Sequence, residues 1–489
     1  MATRASRQWA FRNHSKHARH IDGMELASRF VPWIAAAALI PALASGACVV
    51  NCAVEPEPVL KAPLLVQPAL LSGPDFHVVP EVAVRGYMAD FLIDTKFGPL
   101  HADGVDLLST RIAELPALEA LDRASRTDAF AHALAERGRK TGTALVHVLA
   151  HPIDTVTGLP AGVARYFSHE WDLWSGRAVA AADRSSREFE NKGDPFAAPP
   201  GPMTARRDTP DEIAGHDDRR SRAWYARAGA ESEREAKRYL KYGQQRREMA
   251  KVLGVDPNST NPVLSARLDS LAWAAVWGNF SAGTALGEVT GTAADVISYS
   301  GKINQYVYEL EPDQLRALNA KRLSNYCSDD YAVRQFLRRG GFTDTLRTDL
   351  VDALVQLKPG AGCNDLVELA AATRDEVEAR FLVRALVLIG QQSGVANGAL
   401  FGCGAALAYR TSDGRLLLPL PLDYLTWNAD MAAFFDRPDL RSRDKIVLIG
   451  GDASLLAQRE LTARGWSLAL RAPFDGASDS VRGLLSAAP

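Results

Sequence analysis

Residues 30–50, FVPWIAAAALIPALASGACVV, carry no charged side chain, and they follow Arg29 and a basic, histidine-rich stretch holding Arg4, Arg7, Arg12, Lys16 and Arg19. A run of this kind has to leave water, because about 20 apolar residues are what a bilayer core requires. Basic residues, an apolar stretch and then small side chains form the pattern of an export signal. The small residues at its end, Ala42-Leu43-Ala44-Ser45-Gly46-Ala47, predict cleavage after Ala44 or Ala47. A start at Met24 gives a signal of ordinary length with Arg29 in its short basic region, so His14, His17 and His20 are not read as a metal site.

Two further fates of this segment compete with plain secretion. Ser45-Gly46-Ala47-Cys48 resembles a lipobox, in which the thiol of Cys48 is lipidated and becomes the new N-terminus, although Ser45 stands where an aliphatic residue is usual. An uncleaved anchor is the other, against which Pro32, Pro41, Ser45 and Gly46 weigh. Either fate attaches the chain to a membrane, through Cys48 or through the apolar segment itself.

Export gives the cysteines meaning, since thiols tend to pair in an oxidising compartment. The five are Cys48, Cys52, Cys327, Cys363 and Cys403. Spacing favours Cys327 with Cys363, a loop whose closure contributes about 3 to 4 kcal/mol in the chain-entropy model. The alternative is that all five are small buried apolar residues. No C-x-x-C occurs, which removes support for a thioredoxin-like or zinc-ribbon site.

The rest of the chain has the balance of a folded protein, with 47% hydrophobic and 23% charged residues. Its 56 Lys and Arg against 58 Asp and Glu give no overall field that would draw it to nucleic acid. Residues 1–47 are read as leader and signal, and 48–75 as a Pro-rich tether. Residues 76–170 are read as a β-hairpin part followed by helices, on the alternation around Phe97-Gly98 and the helical spacing of Leu107, Leu108, Ile112, Leu115 and Leu118. Residues 171–225 are charged and poor in large apolar side chains, which predicts a disordered linker. The thirteen basic and nine acidic residues of 201–251 are interspersed, as on a solvated helix rather than a nucleic-acid tract.

Residues 226–400 read as a helical domain, with a restart at Asn261-Pro262 and breaks at Glu311-Pro312, Gly340-Gly341 and Lys358-Pro359-Gly360. Residues 401–480 change period. The turn Thr411-Ser412-Asp413-Gly414 predicts a hairpin, and KIVLIGG, ASLLAQRELTARGW and SLALRAP then predict strand, helix and strand. The fold class expected is α+β: a small N-terminal β-rich part, a predominantly helical middle and a small C-terminal α/β segment.

Chemistry is sparse in this sequence. His147 and His151, four apart, could share a helix face as metal ligands, but HExxH is absent and Pro152 follows at once. No histidine follows His216, so any imidazole chemistry must draw on the N-terminal half. Gly450, Gly451 and Ser454 lie between a strand and a helix, where backbone N–H groups could cradle an anion, with N-capping as the simpler role for Ser454. Gly283, Gly287 and Gly291, and again Gly390, Gly394, Gly398 and Gly402, recur every four residues. On helices they would make smooth faces for close packing or for membrane helices. No cofactor motif is complete, and no cofactor is expected.

The stretches FLIDTKFGPLHADGVDLLSTRIAELPALEALDRASRTDAF, HPIDTVTGLPAGVARYF and AKVLGVDPNSTNPVLSARLDSLAW resemble an uncharacterised group of exported bacterial proteins of unknown function. The resemblance covers about the middle half of the chain and implies export and shared architecture, with no catalytic residue. The expected role is binding or structural in the bacterial envelope, with an envelope protein as a possible class of partner. A membrane-active protein using the glycine-rich segments is the first alternative, and a hydrolase with its histidine in the N-terminal half is the second.

Overall fold

The computed structural model describes residues 54–126, 162–167, 230–277, 303–338, 341–404 and 406–472. The apolar segment 30–50 with Cys48, the pair His147 and His151, the charged stretch 171–225 and the first glycine ladder all lie outside them.

Alternation of buried and exposed side chains builds the first sheet. In it β1 (Val59–Lys61), α1 (Ala62–Leu65), β2 (Ser72–Gly73), β3 (Phe76–Val78), β4 (Glu81–Arg85), β5 (Met88–Thr95) and β6 (Gly98–Asp103) follow one another. Strand order is β1-β4-β5-β3-β2, with β6 also paired to β5, and every pairing is antiparallel. Gly86 and Tyr87, both at positive φ, form the two-residue turn between β4 and β5, as the twist of a tight hairpin demands. The stretch read as a tether is therefore folded from Val54 onward. Its prolines flank the short edge strand β1, where they limit pairing with another chain.

Helices α2 (Val105–Ala113) and α3 (Leu115–Ser125) follow, and Pro116 lies in the first turn of α3, where its missing N–H costs nothing. Helix α4 (Ala230–Leu253) ends at Gly254 in the left-handed conformation, and α5 (Pro262–Trp277) starts from Asn261, whose Oδ1 accepts from the amides of Val263 and Leu264. One core joins Val82, Phe91, Ile93, Leu108, Leu118 and Leu121 to Met249, Leu264, Leu268 and Leu271. Helices α4 and α5, which follow residue 226, thus share the core of the first sheet. The physical reason is coverage: the apolar face of the sheet has to be sealed by helices, and these two bring the required apolar stripes.

The remaining helices are α6 (Gln305–Glu309), α7 (Pro312–Leu323), α8 (Asp330–Arg338), α9 (Asp344–Leu357), α10 (Cys363–Ala371) and α11 (Glu376–Gly390). Glu311 and Gln314 form a capping box at the start of α7, which is why Glu311-Pro312 opens a helix. The second sheet holds β7 (Ala399–Cys403), β8 (Ala406–Arg410), β9 (Leu416–Leu420), β11 (Lys445–Ile449) and β13 (Ser467–Ala469), in the order β13-β11-β9-β8-β7. Strands β9, β11 and β13 are parallel, with α12 (Ala429–Phe435) and α13 (Leu455–Ala463) as their crossovers, and β7 and β8 extend the sheet antiparallel. Strands β10 (Tyr424–Leu425) and β12 (Asp452–Ala453) form a separate parallel pair. All five residues of β9 are buried, as befits a strand covered on both faces. A second core unites Phe336, Leu354 and Phe381 with Tyr409, Leu417, Leu418, Trp427 and Trp466, and Tyr87, Tyr166 and Phe167 reach into it from the N-terminal half.

The fold is thus α+β with an N-terminal sheet, helices in the middle and a C-terminal α/β sheet.

Candidate functional site

Charged and polar groups concentrate where the two cores meet. Asp106, in the first turn of α2, receives Arg380 Nη1 at 2.8 Å and the Arg384 guanidinium, both from α11. Burial opposes a charge on Asp106, but the Arg384 and Arg380 cations outweigh it and hold the carboxyl well below the usual range. Arg111, one helical turn further on, donates to Thr260 Oγ1 at 2.6 Å and lies 3.3 Å from Glu114 and 3.6 Å from Glu376. Glu114 also accepts from Asn261 Nδ2 at 2.8 Å and from the Ser259 hydroxyl, which fixes the loop before α5 against α2. Glu376 pairs with Arg380 at 2.7 Å.

Beside these pairs lie carboxylates without a cation. Asp423, in the loop between β9 and β10, reaches across the seam and accepts the amide of Ala89 at 2.8 Å and that of Val105 at 3.2 Å. Gly104 precedes α2 and has no side chain to cap it, so Asp423 supplies the acceptor oxygens at that helix start from more than 300 residues away. Asp256 accepts from Thr345 Oγ1 at 2.6 Å and from the Asn258 amide at 2.7 Å, and burial pushes it up to about 6. Asp349 on α9 accepts no hydrogen bond among the described residues, and burial together with the charges of Asp256 and Asp352 pushes it up to about 7. The seam can therefore hold protons near neutral pH and bind two bodies together.

Catalytic geometry is a different matter. The described histidines are His77 on β3 and His101 on β6, and His101 Nδ1 stands 3.8 Å from Asp90 at an exposed position. Among the described residues no group of three or more His, Cys, Asp or Glu side chains is arranged to hold a metal ion.

The sequence-derived sites separate accordingly. Cys327 and Cys363 are joined in a disulfide with 4.9 Å between their Cα atoms, which ties the turn after α7 to the start of α10, and Cys403 of β7 is buried outside that bond with its thiol donating to the Ala406 carbonyl. The strand-to-helix loop at 450–454 does not present an anion cradle. The amides of Gly450, Gly451 and Ser454 donate to the carbonyls of Leu420, Leu422 and Leu425. Ser454 caps α13 by accepting from the Ala457 amide at 3.0 Å, and its hydroxyl donates to the carboxylate of Glu55. The second glycine ladder is not a helix. Gly390 ends α11, Gly394 sits in a turn at positive φ, Gly398 abuts Tyr409, and Gly402 is within β7. The seam itself escaped the sequence reading, because Asp106, Asp349, Asp423 and Arg380 look like ordinary solvated charges on amphipathic helices and loops.

Comparisons of the chain with protein-family models, with curated proteins and with solved structures find no match.

Proposed function

We propose that this chain is an exported bacterial envelope protein with a binding or structural role rather than a catalytic one. The observation that carries the reading is the Cys327–Cys363 disulfide, since such bonds form and persist in oxidising compartments outside the cytosol. The apolar segment 30–50 with its basic approach and small-residue end supports the same compartment independently. A binding or structural role is supported by how the polar seam uses its charged groups: Asp106, Glu376 and Asp423 each tie an element of one core to an element of the other. The membrane-active alternative loses its second segment, because Gly390 to Gly402 run through a helix end, a turn and a strand. Among the described residues no helix is long and apolar enough to cross a membrane.

The experiment is mass analysis of the mature protein from fractionated bacterial cells, combined with alkylation before and after reduction. The expected result is an N-terminus at residue 45 or 48, or an acylated Cys48, with Cys327 and Cys363 alkylated only after reduction. A chain intact from its start in the cytosolic fraction, with both thiols reactive at once, would overturn the proposal.

A further inference from the structure

The corner where β6 turns into α2 gathers carboxylates from both cores. Asp90 on β5, Asp103 at the end of β6 and Asp106 on α2 come from one side. Asp423 comes from the other, as do Asp375 and Glu376 at the start of α11, whose charges act on Asp103. Most of these have a counter-charge or a role. Asp106 and Glu376 are held by the arginines already described, Asp375 caps α11 by accepting the Glu378 amide at 3.0 Å, and Asp90 has Arg85 at 3.9 Å and His101 at 3.8 Å. Behind Asp423, Asp452 of β12 is paired with Arg471 at 3.0 Å.

Asp103 and Asp423 are the exceptions. Neither has a cation at ion-pair distance among the described residues. One oxygen of Asp103, Oδ1, is buried and accepts no hydrogen bond, and Asp103 lies directly opposite Asp90 in the β5–β6 ladder. Asp423 is 9% exposed and has only the two backbone amides. A buried Asp423 and a part-buried Asp103 whose charge acts on it cannot both be charged without cost. A proton on either removes the repulsion, and a protonated Asp423 can still accept from Ala89 and Val105 through its carbonyl oxygen.

We propose that this corner is a proton-dependent clamp between the two cores: a proton held at Asp103 or Asp423 keeps them docked, and its release to water loosens the contact. Burial, with the neighbouring negative charges, pushes Asp103 up to about 6 and Asp423 up to about 7, against the opposing pull of the Ala89 and Val105 amides on Asp423. The docked state therefore binds the proton more tightly than the separated one. Docking is strongest in mildly acidic medium and weakens as pH rises through 6 to 7.

The test is amide hydrogen exchange of Ala89 and Val105 in the full chain at pH 5.5 and pH 8, corrected for the intrinsic exchange rate. Opening is expected to be about tenfold more frequent at pH 8, and in the Asp103→Asn/Asp423→Asn double variant the difference falls to within about twofold. A wild-type difference within twofold overturns the clamp, as does a double variant that keeps the wild-type ratio. If the double variant does not fold, carbon-detected titration of the wild-type carboxyls decides: a midpoint at or above about 5.5 for either residue sustains the proposal, and midpoints below about 5.5 for both overturn it.

Discussion

Glu55 accepts a hydrogen bond from the hydroxyl of Ser454, 399 residues further along the chain, and so places a carboxylate at the start of α13. The same carboxylate accepts the Trp427 amide at 2.8 Å, and the Glu55 amide donates to the Trp427 carbonyl at 2.8 Å. The beginning of the described chain is thereby sewn onto the C-terminal sheet. Charge-assisted hydrogen bonds of this kind are worth about 1.5 to 3 kcal/mol. Glu55→Ala is expected to lower unfolding free energy by about 2 kcal/mol, and Glu55→Gln, which keeps an acceptor, by clearly less. Urea denaturation midpoints of the two variants check this, and equal losses would show that the acceptor oxygen contributes nothing.

This relationship also shows what was legible in the sequence. A strand, a Gly-Gly pair and a Ser before a helix read as an anion cradle, but the glycine amides are taken by the carbonyls of Leu420 and Leu422, and only the Ser454 hydroxyl meets a carboxylate, that of Glu55. Periodicity revealed the sheet at each end, the helical middle and the cap at Asn261, because each is set by neighbours within a few residues. Partnership across long separations was hidden. Nothing near Asp423 in sequence says that it caps α2, and nothing near Leu264 or Met249 says that they seal the sheet of Phe91 and Ile93. The Pro-rich stretch after residue 53 looked like a tether, because its attachment depends on Glu55 and Glu57 meeting Ser454, Trp427 and Gly86 in space.

Gly451 is explained by close backbone approach. A Cβ built there would lie 2.0 Å from the carbonyl oxygen of Asp423, whose backbone carbonyl accepts the Asp452 amide at 3.1 Å. No side chain can give way at that point, since the obstacle is backbone. Gly451→Ala is expected to cost about 2 to 4 kcal/mol and to disturb the Asp423 contact with Ala89. Gly414→Ala, at a turn with open space around it, serves as the control with a smaller, purely conformational cost of about 1 kcal/mol. Thermal unfolding of both variants separates the two mechanisms, and equal losses would remove the steric account.

The disulfide closes a loop with a sequence separation of 36, from the turn after α7 to the first residue of α10. The chain-entropy relation gives about 4 kcal/mol for a loop of that size. The Cys327→Ala/Cys363→Ala variant is expected to lose about 2 to 4 kcal/mol, and its stability should no longer respond to reductant. Denaturation of the wild-type protein with and without dithiothreitol supplies the comparison, and a wild-type midpoint unmoved by complete reduction would contradict it.

Asp106 and Asp349 predict opposite limbs of a pH–stability profile. The folded state depresses Asp106, so its contribution is present above the ordinary value near 3.8 and is lost as pH falls through the lower folded value. Asp349 is pushed up to about 7, so between 3.8 and 7 the folded chain binds the proton that the unfolded chain has released, and stability falls as pH rises across that window. Asp256, pushed up to about 6, adds to the same limb. The melting temperature should therefore peak near pH 4 and decline toward pH 8. Asp349→Asn is expected to raise the melting temperature at pH 8 and flatten that decline while leaving the acid limb in place. Asp106→Asn leaves Arg380 and Arg384 without their shared carboxylate, so it should cost about 3 to 5 kcal/mol at pH 7 and abolish its share of the acid limb. Calorimetric melting of the three proteins from pH 3 to 9 tests both signs, and a wild-type profile that rises steadily from pH 5 to 8 would contradict the protonated state assigned to Asp349.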